Sequence, residues 1–142
     1  MTRYAIDAPT LLRLVDTGPK LDPAHQLVAP NAIRSELLQL LLNEVRAGVR
    51  SERDALAAHE RATGVKIRLL GDRVSRATAW RIARERDWDT LRDAEHLAVA
   101  RLQADALVTM DAALLAKAEG TVLTAPLESL LVPGPASTPT AG

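Results

Sequence analysis

Cysteine is absent from the 142 residues. That excludes a disulfide framework, a thiolate nucleophile and any cysteine-ligated metal. A metal on this chain would have to be held by carboxylate or imidazole. Phenylalanine is absent too, and aromatics make up only 2% of the sequence, so leucine, valine, isoleucine and alanine must fill the core. Charge of either sign is not in excess, with 18 Lys and Arg against 18 Asp and Glu. Affinity for nucleic acid then needs a local patch rather than a basic chain. No long apolar run follows a basic start, so no secretory signal is read. The densest apolar stretch, Leu37 to Leu42, is broken by Gln39 and is far too short to span a bilayer. A soluble, cytoplasmic protein is expected. A Gly-rich phosphate loop, GxSxG and HExxH are all missing, so the corresponding chemistries lack their residues.

What is present suits one globular domain: hydrophobic residues make up 47% of the chain, and the length allows a proper core. We read residues 1–131 as that domain and 132–142, with the run PGPASTPTAG, as a tail of disordered composition. Apolar alternation and short apolar runs predict strands at 3–6, 27–29, 66–70, 106–109 and 121–123. Helical spacing predicts helices at 8–15, 32–47, 52–62, 73–86, 91–103 and 112–118, with a last turn in 126–131. Asn31 and Ser51 are positioned as N-caps. Strands alternating with helices imply an α/β fold: an approximately five-stranded parallel sheet, helices on both faces and right-handed crossovers.

Two helices stand out. In 32–47 the apolar residues Ile33, Leu37, Leu38, Leu40, Leu41, Leu42 and Val45 cover most of the circumference, which predicts burial on two sides. One side would face the sheet, the other a further helix or a second subunit. A polar stripe of Glu36, Gln39 and Asn43 remains. Helix 73–86 carries five Arg, of which Arg73, Arg76 and Arg84 share a face with Trp80. This is either an RNA-contacting surface, with Trp80 or Trp88 for base stacking, or a solvated basic face with Trp80 in the core. Arg13, Arg34 and Arg92 are alternative cations.

The chemistry rests on four acids. Asp7 follows the first strand and Asp111 the fourth, so both fall at the carboxyl edge of a parallel sheet, where such sheets bind ligands. Asp93 opens the helix leading into the fourth strand, and Glu36 lies early in the helix after the second, which brings them to the same edge. Each has a simpler reading. Asp7 and Asp111 are good helix caps, Thr90 and Asp93 have capping-box spacing, and Glu36 suits the first turn of a helix. Jointly, four like charges at one edge repel unless something cationic offsets them. Hard divalent cations such as Mg²⁺ or Mn²⁺ prefer such oxygens. The three His, at 25, 59 and 96, are scattered, though His96 lies one turn beyond Asp93.

The motifs YAIDAP, RSELLQL, RDAEHLAVA and ALVTMD, in this order and spacing, resemble those of PIN-domain ribonucleases, more narrowly VapC-type toxins of toxin–antitoxin pairs. The resemblance covers residues 1 to about 130. It implies a PIN-like three-layer fold and endonucleolytic RNA cleavage with Mg²⁺ or Mn²⁺. It also implies a homodimer and inhibition by a cognate antitoxin. Asp7, Glu36, Asp93 and Asp111 would be both the catalytic and the metal-holding acids, with the Thr109 hydroxyl behind them. Arg73, Arg76, Arg84 and Arg92 are the RNA-binding candidates. The span 48–72 departs from the pattern as an insertion-like stretch. The competing reading is a non-catalytic PIN-like module that binds RNA or protein. A nucleotide-binding fold of another type lacks its Gly-rich turn, and a phospho-receiver lacks a second acid after the first strand.

Overall fold

Ala5 and Ile6 point to opposite sides of the first strand and are both buried, as they must be in a sheet covered on both faces. A computed structural model describes residues 1–134. The strands are β1 (Thr2–Ile6), β2 (His25–Pro30), β3 (Ile67–Leu70) and β4 (Ala106–Val108). They form a parallel four-stranded sheet in the order β3-β2-β1-β4. Tyr4 lies opposite Leu27 and Ala106, and Ala5 opposite Val28 and Leu107. The helices are α1 (Ala8–Thr17), α2 (Ile33–Arg46), α3 (Glu52–Thr63), α4 (Arg73–Arg86), α5 (Arg92–Gln103) and α6 (Ala112–Ala118).

Side-chain alternation sorts the strands into two cores. Ile6, Leu27, Ala29 and Val108 join the apolar residues of α1, α2 and α3 on one face. Ala5, Val28 and Leu107 join those of α4, α5 and α6 on the other. With no Phe to fill space, the second core is built on alanine. Ala94 and Ala98 of α5 are fully buried, and α5 packs on α4, β1 and β2. The α/β class and the three-layer arrangement match the sequence reading.

Several expectations need correction. The fifth strand, 121–123, is reduced to a single parallel bridge between Leu107 and Thr124. Its backbone donors are already spent: the N–H groups of Thr121 and Val122 return to the Ala118 carbonyl at 2.9 and 3.1 Å and close α6. Helix α2 is buried along one side only, through Ile33, Leu37 and Leu41, while Leu38 and Leu42 are exposed by 44% and 51%. Asn31 does not cap α2, whose N-terminus has no side-chain cap. Instead its N–H extends the strand ladder to the Leu70 carbonyl at 2.9 Å. The Asn31 side-chain amide then fills the space a Cβ would need at Gly71. Ser51 does cap α3, accepting from the Asp54 N–H. Of the expected tail, residues 135–142 lie outside the described residues, and Val132 is tied back by its N–H to the Lys20 carbonyl at 3.0 Å. Among the described residues no helix is long and apolar enough to cross a membrane.

The insertion-like span begins with a charged clamp. Arg50 makes a two-pronged bond to Asp16 at the end of α1 (2.9 and 2.6 Å) and reaches Glu44 near the end of α2 at 2.6 Å. The Arg50 hydrogen bond holds the Asp16 carboxyl below its ordinary value, against a smaller opposing effect of burial. A depressed folded pKa contributes stability that is complete above the ordinary carboxylate value and is lost as pH falls through the folded one. Asp16→Asn should therefore lose stability near neutrality but not below the folded pKa, so its unfolding midpoint should converge on that of the natural chain in acid; urea titrations across that range measure this. In the second core, Leu97 is fully buried. Leu97→Ala should cost about 2–5 kcal/mol in a denaturant titration, far more than Leu102→Ala on the exposed side of the same helix.

Candidate metal centre

The order β3-β2-β1-β4 means the chain grows outward from β1 in one direction and then returns to its other side. The crevice between the carboxyl ends of β1 and β4 is the switch point of the sheet, where open parallel sheets hold their ligands. Asp7 follows β1 there, and Thr109 and Asp111 follow β4. A cavity of about 420 Å³ opens at this point, and Asp7, Glu36, Asp93 and Asp111 all line it, together with Thr90, Arg92 and His96.

Asp7 is 3% exposed and is the most tightly held of the four. One oxygen accepts from the Thr10 N–H at 3.1 Å, which caps α1, and from the Thr10 hydroxyl at 2.5 Å. Its other oxygen accepts from the Thr109 hydroxyl. Thr10 Oγ1 also takes the Met110 N–H at 3.1 Å, and Thr109 Oγ1 takes the Asp111 N–H at 3.0 Å. Two threonines thus lock the end of β1 to the end of β4. Asp111 caps α6 through the Ala113 N–H at 2.9 Å. Asp7 and Asp111 therefore are helix caps, and they line the cavity as well; the two readings are not exclusive.

The other two acids are paired with side chains that the sequence reading did not assign to them. Glu36 Oε2 lies 2.8 Å from His96 Nε2 and 3.9 Å from Arg92 Nε. An ionised carboxylate only accepts, so His96 Nε2 carries the proton. His96 is 3% exposed, while His25 belongs to the opposite end of β2 against Tyr4. Asp93 Oδ2 lies 2.6 Å from Lys117 Nζ. The Thr90–Asp93 capping box does not form: Leu91, not Thr90, holds the N-cap position of α5, without a side-chain bond, and Asp93 turns to Lys117. A signal for both partners was present in the sequence. His96 sits three residues after Asp93, on the same helix face, and Lys117 is the one cation of helix 112–118.

Among the described residues, no three His, Asp or Glu side chains are placed to hold one ion between them. The donor type nevertheless suits a hard divalent cation. Four carboxylates share one cavity, and Asp7 is buried with no cationic side chain within 4.0 Å among the described residues. Glu36, Asp93 and Asp111 each spend one oxygen on His96, Lys117 or a backbone N–H.

Of the arginine candidates, Arg92 lines this cavity. Arg76 lines a neighbouring one beyond the ends of β2 and β3, with Asn31 and Gly71. Arg73 opens α4 and Arg84 lies in its last turn, both exposed and both away from the cavity lining. Trp80 is 60% exposed rather than in the core, and Trp88 is half-buried against the second core.

No family model and no curated protein matches the chain. Solved structures do. PAE2754 from Pyrobaculum aerophilum is 28% identical, with a TM-score of 0.68, over 91% of this chain and 92% of that one. A chain of VapBC-1 from nontypeable Haemophilus influenzae is 16% identical, with a TM-score of 0.59, over 88% of this chain and 98% of that one.

The threonine lock carries its own test. Thr10→Val removes a hydroxyl that serves Asp7 and Met110 in a buried setting. Leaving such groups unpaired should cost about 1–3 kcal/mol in urea unfolding. Thr17→Val, which loses only an exposed bond to the Arg13 carbonyl, should cost much less.

Proposed function

The chain has the PIN fold of VapC, and from that premise we propose that it is a metal-dependent endoribonuclease, the toxin of a toxin–antitoxin pair. The observation that carries the proposal is the gathering of Asp7, Glu36, Asp93 and Asp111 around one cavity at the switch point of the sheet. Mg²⁺ or Mn²⁺ would be held by these four acids, and such an ion polarises a phosphodiester and acidifies water.

The remaining work falls to the protein. Thr10 and Thr109 fix both oxygens of Asp7, so that acid cannot rotate away from the cavity. His96 orients Glu36 from behind. Arg92, 54% exposed in its side chain, stands at the mouth of the cavity, where its guanidinium meets a backbone phosphate and offsets the acidic pocket. Arg73, Arg76 and Arg84 extend the positive surface along α4 for the flanking RNA. The exposed Leu38 and Leu42 of α2, with Leu56 of α3, offer apolar surface to a second copy of the chain or to the antitoxin.

The test is cleavage of structured RNA by the purified chain with Mg²⁺ or Mn²⁺. Asp7→Asn keeps a capping side chain for α1, and Asp93→Asn leaves a helix that has no cap to lose. Each should reduce cleavage by about a hundredfold or more with the fold intact by circular dichroism. Full activity in both would overturn the proposal. RNA binding without metal-dependent cleavage by the natural chain would favour a non-catalytic module.

A further inference from the structure

A second cavity, of about 340 Å³, adjoins the acid-lined one and shares Thr90 and Asp93 with it. Lys117 enters from this side. Its ammonium is 2.6 Å from Asp93 Oδ2 and 4.9 Å from the centre of the Trp88 ring. Asp87 and Asp89 line the same space. Neither partner is deeply buried, with the side chains of Lys117 and Asp93 exposed by 38% and 26%. The lysine thus has a second resting place within reach. It can leave Asp93 while staying over the indole face and beside two other carboxylates, at little cost in solvation.

Resting on the metal-dependent reading above, we propose that Lys117 is a displaceable counter-ion. It neutralises Asp93 when no divalent cation is bound and withdraws towards Trp88 when one binds. The geometry requires a competition. The ammonium and a divalent ion are like charges seeking the same carboxylate, and they repel at short range. Without either, the acids repel one another around a partly buried cavity. Lys117 therefore lowers the affinity for the metal and steadies the metal-free protein. The contribution is linked in both directions, because whatever holds the metal-free state must be displaced for binding.

Direct Mn²⁺ binding by isothermal titration calorimetry reads the first consequence. Lys117→Met, which keeps the length of the side chain and removes its charge, should bind Mn²⁺ about tenfold more tightly than the natural chain. Lys117→Arg should not. In an Asp93→Asn background, Lys117→Met should have no further effect on affinity. Trp88 emission reads the second consequence independently of the substitution. With Trp80→Phe, Trp88 is the remaining indole of the chain, and Mg²⁺ should shift its emission as the ammonium, already 4.9 Å from the ring centre, is released from Asp93 and closes further on the ring. Equal or weaker Mn²⁺ binding by Lys117→Met, or an unchanged Trp88 emission at saturating Mg²⁺, would overturn the proposal while leaving the metal-dependent reading standing. Absence of any Mn²⁺ binding sensitive to Asp7→Asn would overturn both.

Discussion

Between β1 and β4 the sheet holds two strand ends together with two hydroxyls and one carboxylate. Thr10 belongs to the first turn of α1 and Thr109 to the residue after β4, and both donate to Asp7. The carboxylate is buried, so its hydrogen bonds run in a low-dielectric setting where each is stronger and its loss more costly. The position of Asp111 follows from the same knot, since its N–H is held by Thr109. So does the shape of the crevice, because β4 has only three residues of its own with which to fix its register. The fold places the acids near one another, and the threonines set the two at the strand ends.

The other side of the crevice is arranged by charge. Glu36 and Asp93 come from the first turns of α2 and α5, the two helices that start without a side-chain cap. A free helix N-terminus presents N–H groups and a partial positive charge, which favours an acid in its first turn. His96 and Lys117 then supply the individual partners. The cavity is therefore not a bare cluster of negative charge. Each acid already has a donor, and the donors differ in how readily they let go: a backbone N–H and a buried imidazole are fixed, whereas a half-exposed ammonium is mobile. That difference singles out Asp93.

Much of this architecture was legible because the governing patterns are local. Strand β1, the helix after it and the acid between them were readable from period and chemistry alone, as was the order of strands and helices through Asp111. The convergence of four acids followed from one topological rule, that parallel strands share a carboxyl edge. The parts that were not legible depend on competition for backbone donors or on packing. Thr121 and Val122 have the composition of a strand, but their N–H groups close the preceding helix. Asn31 has the chemistry of a cap, but its N–H is taken by the strand ladder. The apolar residues of α2 outnumber the neighbours that could cover them, so Leu38 and Leu42 stay exposed. Lys117 is conspicuous as the one cation of its short helix, but its partner Asp93 lies 24 residues away and is identified only by the fold.

The Thr109–Asp7 bond joins residues 102 positions apart, and β1 pairs with β4 on the side away from β2. During synthesis the amino-terminal end of the chain emerges first. β1 can then pair with β2 early, while its other edge stays open until residues 106–108 appear. An open central edge is a hazard for mispairing, and closing a contact of this sequence span is slow. Asp111 is also the last of the four acids to be made. The cavity accordingly comes into being near the end of synthesis, and a chain truncated before β4 carries an unpaired strand edge and lacks the Asp111 side of the cavity.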